Sequence, residues 1–193
     1  MSAKYLETIR AVDGKIFNLK YHQKRYESVL NSLSCSNFKN LGDYLSPPRE
    51  GTFRCRVVYS VDEISVVYYK YEKKSISSLR LVYDDAISYS MKSIDRAGIE
   101  ALYALKGKAD DILIIKNSLV SDTSIANIAF KKGEVWITPS KPLLKGTTRA
   151  RLLDEGVIIE AEIGVEELKN FSQVALLNAM VGFDRLQECE FLI

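Results

Sequence analysis

Apolar positions along this chain keep changing their spacing, from strand-like runs to helical stripes and back. Residues 6–12 read as a strand and residues 15–19 as its return, joined by Asp13-Gly14, a dipeptide that accepts the positive φ of a tight hairpin turn. Over residues 21–33 the spacing turns helical: Tyr26, Val29, Leu30 and Leu33 fall at i, i+3, i+4 and i+7. His22 and Arg25 sit near the start of that helix. A second, short helix is expected over residues 40–45, and Ser46-Pro47-Pro48-Arg49-Glu50-Gly51 is a loop. Three β-rich runs follow at 52–60, 64–71 and 77–83, the first two joined by Val61-Asp62-Glu63.

Asp84-Asp85 closes this opening α/β unit, which divides the chain into domains of residues 1–85 and 86–193. In the second, Ile94, Ala97, Ala101, Leu102 and Leu105 predict a helix over 94–105, with Gly107 as its stop. Strands are expected at 111–116 and 125–131, with Asn117-Ser118 as a turn. Lys132-Gly133 leads into a further strand over 134–137. Thr147 or Thr148 caps a helix that runs to Glu155 and stops at Gly156. A half-buried strand over 157–163, a short helix over 165–170 and a strand over 173–177 complete the pattern. Many short strands with interspersed helices fit an α+β fold and argue against a doubly wound sheet. No GxGxxG fingerprint is present.

Composition narrows the chemistry. At 193 residues, 47% hydrophobic and 27% charged, the chain can bury one substantial core or two small ones. Its net charge of +2 is spread along the sequence, with no basic run that would mark a nucleic-acid footprint. The N-terminal stretch through Glu7 has no apolar leader core, and no apolar run approaches the ~20 residues of a membrane span. Cys35, Cys55 and Cys189 are odd in number and far apart, which fits a reducing cytoplasm better than a disulfide framework. His22 is the only histidine and no CxxC occurs, so a zinc site built on several His and Cys ligands is excluded. A histidine-dependent triad would have to pass through His22 alone.

Two segments stand out as candidate chemistry. Lys92, in Ser90-Met91-Lys92-Ser93-Ile94-Asp95-Arg96, lies between a β-run and the start of the helix expected from residue 94. A helix N-terminus and burial both favour the free amine that nucleophilic chemistry requires. Leu144-Lys145-Gly146-Thr147-Thr148-Arg149 opens another helix with a Gly-Thr-Thr turn suited to an anion. Between them, Asp122 supplies a carboxylate. An amine, a carboxylate and a phosphate cradle are the minimal set for holding pyridoxal 5′-phosphate. Taken alone, each has an ordinary reading: Arg25 as a surface cation, Asp122 as a turn residue, Gly146-Thr147-Thr148 as a helix cap.

Six motifs in order resemble the class IV aminotransferases, the pyridoxal phosphate enzymes of fold type IV. Met91-Lys92-Ser93-Ile94-Asp95-Arg96 is similar to the family's I-K-x-L-N-R, and Asp110-Asp111-Ile112-Leu113-Ile114-Ile115 to its D-E-A/V-L-L-L-D. Val120-Ser121-Asp122 followed by Asn127 and Phe130 resembles V-x-E-x-x-x-x-N-x-F, with the aromatic one position late. Thr138-Pro139 matches the T-P that ends a hairpin, and Leu144 to Arg149 the L-x-G-I/V-T-R phosphate turn. Upstream, the stretch from Glu7 to Tyr26 resembles E-T-I/M-R-V-x-D-G-K and L-x-x-H-x-x-R-L.

The resemblance implies a two-domain fold, with a small α/β N-terminal domain and a β-barrel-like C-terminal domain carrying helices. It implies pyridoxal 5′-phosphate as cofactor, a small-molecule amino substrate, and a homodimer with each site at the domain junction. Lys92 would be the Schiff-base lysine and then the base that moves the substrate proton. Asp122 would pair with the ring nitrogen; Arg25, Thr147, Thr148 and Asn178 would hold the phosphate. Asn127 and His22 read as structural, and Glu7 either packs the domain junction or faces substrate. The usual acid at the Asp122 position is glutamate, one methylene longer. Strand segments that commonly precede the Glu7-Thr8 pair are absent, and the chain ends soon after Asn178.

Three activities fit this resemblance. The short arm before Glu7-Thr8 and the Leu177-Asn178-Ala179 ending most resemble the 4-amino-4-deoxychorismate lyase branch. A transaminase for D-amino or branched-chain amino acids would share the cofactor residues and need a carboxylate trap, for which Arg10 and Arg96 are candidates. A degenerate member would bind cofactor without turnover.

Overall fold

The computed structural model describes residues 3–193, so Met1 and Ser2, part of the N-terminal stretch read above for a leader, lie outside it. The chain divides into two compact units. One takes the residues up to Lys73 together with Met91–Asp95; the other takes Lys74–Ser90 and Arg96–Ile193. Chain order alone suggests a single boundary, after Asp85. The structure instead gives the last of the three β-runs to the second unit and returns the Lys92 segment to the first, because strand pairing, not chain order, holds each segment.

In the first unit, β1 (Tyr5–Val12), β2 (Lys15–Ile16), β3 (Thr52–Tyr59) and β4 (Ile64–Lys70) form an antiparallel sheet in the order β2-β1-β3-β4. The return strand is only two residues long, because Asn18 adopts φ 55° and starts helix α1 (Leu19–Ser32). One side of β1 and β3 points Tyr5, Ile9, Ala11, Cys55, Val57 and Tyr59 at Tyr26, Val29 and Leu30 of α1, and these make one core. The short helix expected over 40–45 is a single 3₁₀ turn, Leu41–Tyr44, opened by the Asn40 side chain accepting from Gly42 N–H. Residues 91–95 lie extended along β1: Leu6 N–H donates to Lys92 O, and Ile94 N–H to Lys4 O.

The second unit is built from two sheets. β5 (Ser78–Tyr83), β6 (Asp111–Lys116), β7 (Leu119–Thr123) and the short C-terminal β13 (Glu190–Leu192) are ordered β13-β5-β6-β7. β8 (Asn127–Lys132), β9 (Val135–Pro139), β10 (Ile159–Ala161), β11 (Gln173–Asn178) and β12 (Gly182–Arg185) are ordered β10-β9-β8-β11-β12. Leu79, Leu113 and Ile115 from the β13-β5-β6-β7 sheet meet Ile128, Phe130 and Leu176 from the β10-β9-β8-β11-β12 sheet in one core; the two sheets stay open, with β13, β7, β10 and β12 as their edges. Helices α2 (Ala97–Tyr103) and α3 (Thr147–Asp154) pack outside it, α2 on Ile112 and Ile114 and α3 on Ala175 and Leu177. Helix α2 starts at Ala97, three residues later than expected, because residues 91–95 are committed to β1. No helix among the described residues is long and apolar enough to cross a membrane.

Candidate active site

The first unit gathers Glu7, His22, Arg25 and Lys92. Strand alternation puts Glu7 on the core-facing side of β1, where it is fully buried. His22, Arg25 and Tyr26 share one stripe of α1, so both basic side chains reach that carboxylate. Arg25 grips it with two bonds, Nε to Oε1 at 2.7 Å and Nη2 to Oε2 at 2.6 Å, and His22 Nδ1 lies 2.6 Å from Oε2. Burial alone would raise the Glu7 carboxyl. The Arg25 charge and the bonds from His22 and Arg25 outweigh it and bring the group down to about 2. An ionised carboxylate only accepts, so His22 carries its proton on Nδ1. Arg25 is thus no loose surface cation but a guanidinium aimed by a buried acid. Lys92 is half-buried on the segment beside β1, next to Ser93, which bridges Tyr5. With α2 starting five residues after it, a helix N-terminus does not explain a free amine at Lys92.

The second unit gathers Asp122, Asn127 and the Gly146-Thr147-Thr148 turn. Asp122 is carried on β7, a strand the sequence reading left out, and only 5% of it is exposed. Its Oδ2 accepts from Leu144 N–H at 2.9 Å and its Oδ1 from Asn127 Nδ2 at 2.7 Å. Burial pushes this carboxyl up to about 6, against the pull of those bonds and of the Arg149 charge. Thr147 and Thr148 are both buried in the first turn of α3. Gly146 at its N-cap supplies no side-chain cap, so the first-turn amides remain an anion-binding end. A Cβ on Gly146 would overlap Asn127 Oδ1, which is why glycine stands there. Asn178 closes the β11–β12 turn, its Oδ1 accepting from Met180 and Val181 N–H.

The two trap candidates differ. Arg96 lies in the second unit, where Nη2 donates to Ser124 O at 2.9 Å and the guanidinium sits over Tyr89. Arg10 faces Arg54 directly across the β1–β3 pair, with Arg56 two residues along on the same side. Arg10 stacks on Phe17 and Arg54 on Tyr69, and Arg10 Nε is buried without a partner among the described residues. Arg54, Arg56 and the Asn127 bonds to Asp122 and Leu144 are not singled out by any motif in the sequence. Period-two spacing of Arg54 and Arg56 on a strand paired with β1 was the available signal. A cleft of about 270 Å³ in the second unit is lined by Tyr89, Lys116, Ser121 and Leu143 among others, and by none of the expected site residues. No group of three or more His, Cys, Asp and Glu suited to a metal ion occurs among the described residues.

A sequence profile described as amino-transferase class IV matches residues 4–189. The chain belongs to the class IV aminotransferase family. This family is one of pyridoxal phosphate-dependent enzymes acting on small molecules, and each unit carries residue types that such a cofactor takes: a half-buried lysine and an arginine held by a buried acid in the first, a buried carboxylate and an uncapped helix end in the second. An uncharacterised protein of Haemophilus influenzae is 38% identical over 182 residues, covering 91% of this chain and 97% of its own. A Haemophilus somnus crystal structure, provisionally named a 4-amino-4-deoxychorismate lyase, superposes with a TM-score of 0.86 at 36% identity over 94% of this chain and 98% of that one. A fission yeast (Schizosaccharomyces pombe) family protein, provisionally named an aminodeoxychorismate lyase, is 29% identical over 86% of this chain and 82% of its own.

Proposed function

We propose that this chain is a 4-amino-4-deoxychorismate lyase that uses pyridoxal 5′-phosphate to release pyruvate and para-aminobenzoate, a step of folate synthesis. The observation that carries the reading is the likeness to the Haemophilus somnus protein along nearly the whole of both chains. The side chains support it. Arg25, aimed by Glu7, and the Thr147-Thr148 helix end bind the phosphate, joined by the Asn178 amide. Asp122 receives the ring nitrogen; a carboxylate has about four acceptor positions, and Asn127 and Leu144 take two of them. When bound, the cofactor supplies an electron sink for breaking bonds at the amine-bearing carbon of the substrate. Lys92 Nζ would anchor it and take the proton from that carbon; the C–O bond at the neighbouring ring carbon then breaks, leaving the ring aromatic, and a proton returned by Lys92 to the methylene carbon of the departing three-carbon enol makes pyruvate. The substrate carries two carboxylates, and the side of the first sheet bearing Arg10, Arg54 and Arg56 offers the matching charge. A homodimer and a cytoplasmic location come with the same reading.

The test uses purified protein with added cofactor beside Lys92→Ala. The expected result is a visible absorbance band, reducible by borohydride and missing in the variant, with pyruvate released from aminodeoxychorismate when no keto acid is present. A band accompanied by amino exchange between an amino acid and a keto acid, without pyruvate release, would replace the lyase with a transaminase. Absence of a band at saturating cofactor would reject catalysis altogether.

A further inference from the structure

Asn127 sits where two parts of the second unit meet, and its amide closes a ring between them. One Nδ2 hydrogen goes to Asp122 Oδ1 at 2.7 Å and the other to Leu144 O at 2.8 Å. Leu144 N–H completes the ring by donating to Asp122 Oδ2 at 2.9 Å. The remaining amide atom, Oδ1, fills the space a side chain on Gly146 would need. Asn127 itself opens β8, pairs with Leu177 of β11 and is 5% exposed, so its position is set by the core sheet and not by a loop. Both hydrogens of its side-chain amide are thereby spent on the acid and on the turn, leaving neither for a ligand.

We propose that Asn127 is a positioning residue that holds the Asp122 carboxylate and the Leu144–Thr148 turn in fixed register, so that the ring-nitrogen acid and the phosphate cradle act as one unit. This rests on the cofactor reading above. The physical case is that neither neighbour is rigid alone. Asp122 has a short side chain on the last residues of β7, and residues 140–146 carry no regular secondary structure before α3 begins. Two bonds from one planar amide, itself fixed by a sheet, remove the freedom of both at once.

The experiment measures dissociation constants of three probes for the wild type and Asn127→Ala: pyridoxal 5′-phosphate, pyridoxal, which lacks the phosphate, and the 1-deaza phosphate analogue, which lacks the ring nitrogen. The preference for the phosphate over pyridoxal reports the turn, and the preference over the deaza analogue reports Asp122. Both preferences are expected to fall about tenfold in the variant, the equivalent of one lost hydrogen bond at each end. A loss of thermal stability alone would leave both preferences where they were, and preferences within twofold of the wild type would overturn the proposal. A fall in only one would overturn the coupling. Wild-type preferences near one would reject the cofactor reading itself, which is a different failure. Gly146→Ala serves if Asn127→Ala does not fold: its methyl displaces the amide and is expected to lower the same two preferences together. Gly146→Ala with unchanged preferences would likewise overturn the coupling.

Discussion

Replacing Glu7 by glutamine removes one negative charge from a fully buried position while keeping the side chain's shape. The Arg25 guanidinium, 14% exposed, loses its counter-ion, and His22 Nδ1 faces an amide in place of a carboxylate. The magnitude follows from the proton. A carboxyl whose pKa falls from 4.5 to about 2 on folding contributes about 3 kcal/mol to stability when ionised. That agrees in size with the 3–5 kcal/mol, roughly, lost when one partner of a buried pair is removed. Because the folded pKa is the lower one, this contribution is present in full above about pH 4.5 and disappears as the pH falls through about 2. Glu7→Gln is therefore expected to lower the melting temperature by roughly 6–12 °C at pH 7, for a chain of this size. The gap to the wild type should shrink steadily from pH 4.5 to pH 2.5. Urea unfolding followed by circular dichroism over that range measures it. A variant within 1 kcal/mol, roughly, of the wild type at pH 7, or a gap that stays constant down to pH 2.5, would refute the buried charge cluster as a source of stability.

Asp122 carries the opposite sign. Its folded pKa of about 6 lies above the ordinary 3.8, so the cofactor-free protein gains stability as the pH falls from 6 toward 4 and loses it as the pH rises, by on the order of 3 kcal/mol. Asp122→Asn should flatten that dependence, and urea midpoints at pH 5 and pH 8 that move in parallel for both proteins would refute it. Asn178→Ala removes the acceptor for two turn N–H groups and is expected to cost about 1–2 kcal/mol in the same assay. Its preference for pyridoxal phosphate over pyridoxal should fall as well; an unchanged preference would confine Asn178 to the turn.

Side chains that packing makes private were legible in the sequence. The α1 stripe was read from Tyr26, Val29 and Leu30, and these three are buried against the first sheet. The β8 core strand was read from its apolar run, and Ile128 and Phe130 have no exposed surface. Strand β7 was not legible, because Ser121, Asp122 and Thr123 carry no hydrophobic signal. Each is buried with a hydrogen-bond partner: Ser121 donates to Lys141 O and Asp122 accepts from Leu144 N–H, both some twenty residues away, while Thr123 bonds Ala126 within its own turn. β13 was missed for a related reason: three residues become a strand only because β5, more than a hundred residues earlier, offers them a parallel edge.

The candidate residues divide in the same way. Order and spacing of short motifs, through the family resemblance they carry, point to Lys92, Asp122, Arg25 and Thr147-Thr148 as candidates; none of them stands out by its own residue type. The sequence also shows a single histidine and no CxxC pair, so the spacing signature of a zinc finger is missing from it. What it could not determine is what each polar group is bonded to. Glu7 turned from an ambiguous strand residue into the acid that aims Arg25, and Asn127 from a structural residue into the link between Asp122 and Leu144. The Lys92 segment, expected to lead into a helix, lies along β1 instead. Periodicity reports which face of an element is dry, because hydrophobic burial depends only on area. Hydrogen-bond partners depend on which elements the tertiary fold brings within 3 Å or so of each other, and that information is not local to any stretch of the chain.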